Sequence, residues 1–206
     1  MKPSRETEIK LSVRDRRKAA KRLAELGFQV VRKRHWESNF VFDFPDRRLR
    51  KARSLLRLRS AAGEHLLTFK GPPQSSRRYA RRTEIETRVE DGALLHEVLK
   101  KLGLKPVFVY EKFRTVYAAG RKTGHHETPH AAYDETPIGD YLELEGPENW
   151  IDRVATQLGY APPDYITNTY LDLYNQWCRQ EGRKAANMVF RQRAPSARPS
   201  RVPNGK

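Results

Sequence analysis

The 206 residues carry 41 Lys+Arg against 25 Asp+Glu, a formal charge of +16, with 37% hydrophobic residues. That suits one folded domain with or without a tail, and it excludes a wholly disordered chain. A mean hydropathy of −0.84 and no apolar run near ~18 residues exclude a membrane-spanning helix, and a lone cysteine, Cys178, excludes an internal disulfide.

Residues 5–13 alternate charged and apolar, placing Glu6, Glu8 and Lys10 on one face of a strand and Ile9, Leu11 and Val13 on the other. Residues 14–26 predict a helix on the spacing of Ala19, Leu23 and Leu26, stopped by Gly27. Residues 53–60 alternate again, with Leu56 and Leu58 opposite Arg57 and Arg59. Residues 65–70 set Leu67 and Phe69 against Thr68 and Lys70, and Gly71-Pro72-Pro73 ends the run. Residues 82–87 place Arg82, Glu84 and Glu86 on one face. Asp91 is positioned to cap a helix through Leu102. Residues 107–117 form a strand with Lys112 and Arg114 together, 131–134 a short strand, and 140–145 a strand carrying Glu143 and Glu145. Helices over 148–159 and 167–180 follow, the second with an apolar stripe of Tyr170, Leu171, Tyr174 and Trp177 read as core.

The polar faces are ionic, and their sign is sorted by strand. Acids pair in Glu6/Glu8, Glu84/Glu86 and Glu143/Glu145, and cations in Arg57/Arg59 and Lys112/Arg114. Like charges two residues apart on a strand face lie about 6–7 Å from each other, which is costly unless opposite charge sits between them. Two arrangements accommodate this. One is an open sheet whose wet face carries cross-strand ion pairs. The other is α+β: a closed antiparallel β-barrel with a charged tunnel inside and helices coating its apolar outside. The lining residues of that tunnel are seven cations (Lys10, Arg57, Arg59, Lys70, Arg82, Lys112, Arg114) and seven acids (Glu6, Glu8, Glu84, Glu86, Asp134, Glu143, Glu145). Such a neutral tunnel would take a polyanion together with a cation, such as a polyphosphate with Mg²⁺ or Mn²⁺ held by carboxylate oxygens and phosphates held by Arg and Lys.

The net charge therefore needs partition before it implies nucleic acid. Residues 178–206 hold 8 basic residues and one acid, a net of +7, leaving +9 for residues 1–177. The end of the chain, rich in Arg, Pro and Ser, reads as a basic disordered tail.

The ordered motifs resemble those of the CYTH domain, or triphosphate tunnel metalloenzyme, family. Glu6-Thr7-Glu8-Ile9-Lys10 resembles its opening Glu-x-Glu-x-Lys. Further matches are Ser54-Leu55-Leu56-Arg57-Leu58-Arg59, Leu67-Thr68-Phe69-Lys70-Gly71-Pro72, Arg82-Thr83-Glu84-Ile85-Glu86, Lys112-Phe113-Arg114, and Asp134 with residues 139–145. Asn39-Phe40-Val41-Phe42-Asp43 is similar to the family's aromatic-Asp segment. The resemblance places the domain at 1–177 and the tail at 178–206. It implies that Glu6, Glu8, Asp134, Glu143 and Glu145 hold Mg²⁺ or Mn²⁺. It also implies that Lys10, Arg57, Arg59, Lys70, Arg82, Lys112 and Arg114 bind substrate phosphates, and that Lys10, Glu84 and Glu86 act in catalysis, Glu84 or Glu86 orienting water.

The expected enzyme is thus a cytoplasmic monomer or homodimer acting on a small-molecule triphosphate, with neither nucleic acid nor membrane as its main partner. Hydrolysis of tripolyphosphate, thiamine triphosphate or a nucleoside triphosphate is favoured, since it needs only water. The alternatives are a class IV adenylate cyclase, making cAMP and pyrophosphate from ATP, and a non-catalytic polyphosphate- or nucleic-acid-binding module. His125, His126 and His130 fall in a loop without helical metal spacing. His35 and Trp36 are read as packing or rim residues. Tyr79 with Arg77, Arg78 and Arg81 is read either as a loop over the tunnel mouth or as a solvated turn.

Overall fold

Strand β1 (Ser4–Val13) sets the pattern for the fold in the computed structural model, which describes residues 4–74, 76, 78–119 and 129–190. Its Ile9 and Leu11 are fully buried on one face, while Glu6, Glu8 and Lys10 alternate onto the other. Helix α1 (Arg16–Glu25) begins where the Asp15 carboxylate accepts the Lys18 N–H at 3.0 Å, and Gly27, at φ 80°, ends it in a conformation glycine adopts without steric cost. Next come β2 (Phe28–Asp43), the short α2 (Arg48–Lys51), β3 (Leu55–Ala61), β4 (Glu64–Lys70), β5 (Ala80–Val89) and α3 (Gly92–Lys101). The chain continues through β6 (Lys105–Ala119), β7 (His130–Thr136), β8 (Gly139–Glu145), α4 (Glu148–Gln157) and α5 (Tyr170–Gln180).

The eight strands close into an antiparallel barrel in the order β1-β5-β4-β3-β2-β6-β7-β8. The closed alternative, with charge inside, is therefore the one adopted. Its outer faces bury apolar surface under helices. Ile9, Leu11, Leu142 and Leu144 pack with Leu23 of α1 and with Ile151, Val154 and Ala155 of α4. Phe42 and Leu58 pack with Leu99 of α3. Each such aliphatic side chain contributes roughly 1.5–3 kcal/mol by leaving water. A third cluster lies on the inner side at one end of the barrel. There Val41, Phe108 and Tyr110 pack against Tyr170, Tyr174 and Cys178 of α5 and against Met188, so α5 stops that end. No helix of the described residues is long and apolar enough to cross a membrane.

The strand not foreseen as a whole is β2, 16 residues long. Its pairing with β6 shifts register between Val30 and Arg32, between Arg32 and His35, and between Val41 and Phe42. Such irregularities break the period-2 alternation by which a strand is recognised in sequence. His35 and Trp36 lie within this strand.

The expected domain end at 177 also shifts. Cys178 to Gln180 complete α5, and the chain then returns to β6. The Met188 N–H donates to the Val109 carbonyl at 3.0 Å, the Glu111 N–H donates to the Met188 carbonyl at 2.9 Å, and Met188 is 1% exposed. The cause is a free edge: β7 pairs with β6 only over Phe113–Ala118, so the first half of β6 has backbone groups to satisfy. One buried methionine among basic residues is invisible to composition. The tail expectation for 191–206 lies outside the described residues, as do Arg77, His125 and His126.

The segment around Tyr79 is pinned. Tyr79 is buried in the outer core, the Arg78 guanidinium meets Asp152 at 3.0 Å, and Arg81 pairs with Glu148. Met188→Ala is expected to cost about 2 kcal/mol or more, lowering Tm by roughly 4–8 °C for a chain of this size. Thermal melting followed by circular dichroism checks it, and an unchanged Tm would show that the returning segment adds no stability.

Candidate active site in the barrel interior

Strand parity sends the ionic residues inward, and register decides which of them meet. Glu8 lies opposite Glu145 and Lys10 opposite Glu143 across β1 and β8. As a result Glu6, Glu8 and Glu145 each place a carboxylate oxygen within 4.8 Å of the others. Two ammonium groups border this cluster. Lys70 Nζ donates to both Glu6 oxygens at 2.6 Å and lies 3.1 Å from Glu84. Lys10 Nζ donates to Glu8 at 2.6 Å and lies 3.5 Å from Glu143. Burial disfavours both ammonium charges, but the surrounding carboxylates outweigh it and raise both pKa values.

Across the interior, Asp134 collects cations. Arg114 grips it with two hydrogen bonds, at 2.7 and 2.6 Å, and also pairs with Glu143. Lys112 Nζ reaches Asp134 at 2.8 Å, and the Tyr170 hydroxyl donates to it at 2.6 Å. Against the cost of burial, Arg114 and Lys112 hold Glu143 well below the usual carboxylate range. Between these groups stand Arg57 and Arg59. Arg57 donates to Thr68 Oγ1 at 3.3 Å, and Thr68 donates to Glu86 at 2.7 Å. Arg59 reaches the same carboxylate at 3.4 Å.

Of the five expected metal ligands, the structure therefore brings together Glu6, Glu8 and Glu145. Asp134 and Glu143 sit among cations instead, because register sets Asp134 opposite Arg114. Of the expected phosphate-binding cations, Lys10, Arg57, Arg59, Lys70, Lys112 and Arg114 meet inside the barrel. Arg82 departs: its guanidinium donates to the carbonyls of Arg53 and Gly71 at 2.9 and 3.3 Å, at the edge where β3 begins and β4 ends. Of the expected catalytic groups, Lys10 and Glu84 border the acid cluster, and Glu86 lies on the arginine side.

Two charges remain undercompensated. Burial, then Glu6, with Glu8 and Glu84 adding to it, pushes the Glu145 carboxyl well up against the opposing pull of Lys70. Burial and neighbouring Arg57 push the Arg59 guanidinium down. Its Nε, like that of Arg57, is buried without an acceptor among the described residues. Crowded carboxylate oxygens short of positive charge fit a hard divalent ion, and crowded guanidiniums short of negative charge fit an anion.

Residues 4–170 match the CYTH domain family model. A Methanocaldococcus jannaschii protein, provisionally named an adenylate cyclase, is 33% identical over 179 residues, which is 82% of this chain and 97% of that relative. The chain belongs to the CYTH domain family. Among solved CYTH-like structures, a Vibrio parahaemolyticus protein provisionally named an adenylate cyclase superposes with a TM-score of 0.70 at 20% identity, covering 84% of this chain and 99% of its own. A Hippeastrum protein, provisionally named an adenylyl cyclase and described as having a dominant triphosphatase activity, superposes at 0.58 with 18% identity, covering 87% of this chain and 97% of its own.

The CYTH interior holds residues that sequence reasoning passed over. Glu37, 2% exposed, faces Lys112 at 3.7 Å, Arg59 at 4.0 Å and His35 at 3.2 Å. Despite its burial, Lys112, Arg114 and Arg59, with a hydrogen bond to His35, hold its carboxyl well below the usual range. The available signal was the i, i+2 spacing of His35, Glu37 and Asn39. Tyr170 belongs to the stripe read as core, yet it reaches Asp134 and lies 5.0 Å from Lys112 Nζ over its ring.

Asp134→Asn leaves Lys112 and Arg114 buried beside a neutral group. It is expected to cost about 3–5 kcal/mol, against about 1.5–3 kcal/mol for Tyr170→Phe, measured by urea unfolding. Glu37 and Glu143 have folded values below the ordinary 4.5. Their contribution is complete above about pH 4.5 and lost as pH falls below it, so Tm is expected to drop on acidification. A Tm flat down to pH 3 would contradict the pairing.

Proposed function

We propose that this CYTH protein is a divalent-metal-dependent enzyme that hydrolyses a small-molecule triphosphate inside the barrel. The observation that carries the reading is the pair of opposite, undercompensated charges in one chamber: the Glu145 carboxylate within the Glu6/Glu8/Glu145 cluster and the guanidinium of Arg59. A triphosphate with its metal supplies the missing charge to both.

Phosphoryl transfer depends on charge neutralisation and in-line placement more than on a special nucleophile. Mg²⁺ or Mn²⁺, when bound to Glu6, Glu8 and Glu145, supplies positive charge at the phosphates and acidifies a coordinated water. Arg57 and Arg59 grip non-bridging oxygens with planar forks, while Lys112 and Arg114, anchored on Asp134, present a second positive wall. Lys10 and Lys70 keep the acid cluster partly neutral and take up phosphate oxygens that approach it. Glu84, 3.1 Å from Lys70 and held below the ordinary carboxylate range despite burial, stays ionised and can orient attacking water by accepting its hydrogen bond. The end stopped by α5 excludes bulk water from that side.

The fold admits hydrolysis, as the Hippeastrum protein's triphosphatase activity illustrates. The provisional name of the M. jannaschii relative favours a second reading, in which a ribose hydroxyl attacks the α-phosphorus of ATP and pyrophosphate leaves. Incubation with Mg²⁺ or Mn²⁺ and ATP, tripolyphosphate or thiamine triphosphate separates the two. Hydrolysis releases orthophosphate, whereas equimolar cAMP and pyrophosphate from ATP would replace it with the cyclase. Glu8→Gln is expected to lower kcat by about 100-fold or more with the far-ultraviolet circular dichroism unchanged. Glu145→Gln removes a repelled carboxylate, so its metal-free Tm is expected to equal or exceed that of the parent. The Tm rise that Mg²⁺ gives the parent is expected to vanish. Salt-sensitive polyphosphate binding that ignores divalent ions and turns nothing over would point instead to a non-catalytic binding module.

A further inference from the structure

Helix α3 turns two apolar rows in different directions. One, Leu95 and Leu99, packs on the outside of the barrel with Phe42, Leu58 and Leu104. The other, Leu94, Val98 and the capping residue Leu102, stands 63%, 45% and 65% exposed. Steps of four residues set these three along one ridge of the helix. Ile85, on the outer face of β5 just ahead of α3, is 47% exposed. Scattered single apolar residues are ordinary on a protein surface, but these four are most of the seven large ones that stand exposed among the described residues. The ridge leans toward Ile85. His96 faces β2, its ring 5.2 and 5.1 Å from those of Phe40 and Phe42. At about 100° per residue, Val98 and Leu102 then lie on the other flank of α3, toward β4 and β5, where Ile85 sits opposite Phe69.

The segments of this chain outside the described residues are poor in apolar side chains that would cover such a ridge. Residues 191–206 hold one large aliphatic, Val202, residues 1–3 hold Met1, and residues 120–128 hold none. The charges beside the ridge specify the partner instead. Glu97 and Lys101 form the adjoining row, one turn apart and opposite in sign. Glu97 accepts from Lys100 within the helix at 2.9 Å, an exposed pair of little strength, and Lys101 makes no ion pair among the described residues. A rim of one sign suits a partner of the other sign, whereas a mixed row suits a copy of itself. When two such helices run antiparallel about a two-fold axis through Val98, Leu94 of each lies against Leu102 of the other. Glu97 of each then comes within two residues of the other's Lys101, about 3 Å along the axis. A contact of this kind is isologous and closes at two copies.

We propose that α3 is the interface for a second copy of this chain: a two-fold, antiparallel helix pair seamed by Leu94, Val98 and Leu102 and bordered by two reciprocal Glu97–Lys101 pairs. Ile85 extends the apolar surface on the barrel wall beside it. The seam is short, so the association belongs to the weak, reversible class that buries less than about 1,200 Å². The acid cluster and Asp134 lie inside the barrel and take no part, so the pairing is independent of what the chamber binds.

Sedimentation velocity of the full chain over a dilution series tests it. The parent's mass is expected to climb from 24.0 kDa toward twice that as concentration rises. Val98→Glu, at an exposed helix position, is expected to stay monomeric throughout with its far-ultraviolet circular dichroism unchanged. Lys101→Glu is expected to weaken association at least threefold. The swap Glu97→Lys/Lys101→Glu exchanges the two signs within the row and is expected to restore association to within twofold of the parent. Trp36→Glu alters an apolar residue that is 44% exposed on β2 and is expected to leave association within twofold. Four results overturn the proposal: a parent that is monomeric at every concentration, a Val98→Glu variant that associates like the parent, a Trp36→Glu variant that does not associate, or a charge swap that fails to restore what Lys101→Glu loses.

Discussion

Asp134 is fully buried and receives Lys112, both nitrogens of an Arg114 fork, and the Tyr170 hydroxyl. An isolated carboxylate in that position would carry a prohibitive desolvation cost. With three partners it becomes the anchor from which the interior charges are hung. Arg114 extends the network to Glu143, and Lys112 extends it to Glu37. Tyr170 ties the helix that stops the barrel to the wall of the chamber. The same carboxylate thus fixes the cationic wall and the closed end together.

From that anchor the interior grades in character along the barrel. At the stopped end, aromatic and aliphatic side chains fill the lumen. Around Asp134, opposite charges are matched at hydrogen-bond distance. Toward Glu6, Glu8 and Glu145 the matching is incomplete: Lys70 and Lys10 engage Glu6 and Glu8, while the Glu145 carboxyl is pushed up by burial and by the neighbouring acids. A chamber paired throughout would be a structural ion network. One left short of cations on one wall and of anions on another is organised to receive both from outside.

The described residues carry only part of the net charge of +16. Inside the barrel, acids and cations nearly cancel. Of the positive surplus on the described residues, Arg47, Arg50 and Arg53 are exposed outside the barrel with no ion pair among the described residues. A positive exterior draws small polyanions toward the molecule and raises their encounter rate, while selection of a ligand rests on the paired and unpaired groups within.

The amino-acid sequence by itself determined which residues face inward. Alternation along β1, β3, β4, β5, β6 and β8 separates Glu, Lys and Arg from Leu, Ile and Phe, and side-chain period in a strand is a local property. That sorting admitted closure but did not require it, since an open sheet with cross-strand ion pairs satisfies the same like-charged pairs; the strand pairing closed the barrel. Local capping was legible for the same reason: Asp91 holds the helix start it was expected to hold. What local pattern could not carry was register. Bulges hid most of β2 and with it Glu37. The pairing of β6 with β7 set Asp134 opposite Arg114 as an ion-pair hub, and an unpaired stretch of β6 drew Met188 back onto the barrel. Each of these joins residues far apart in the chain, and only the closed tertiary structure sets the offset between strands that decides which inward-facing charges touch.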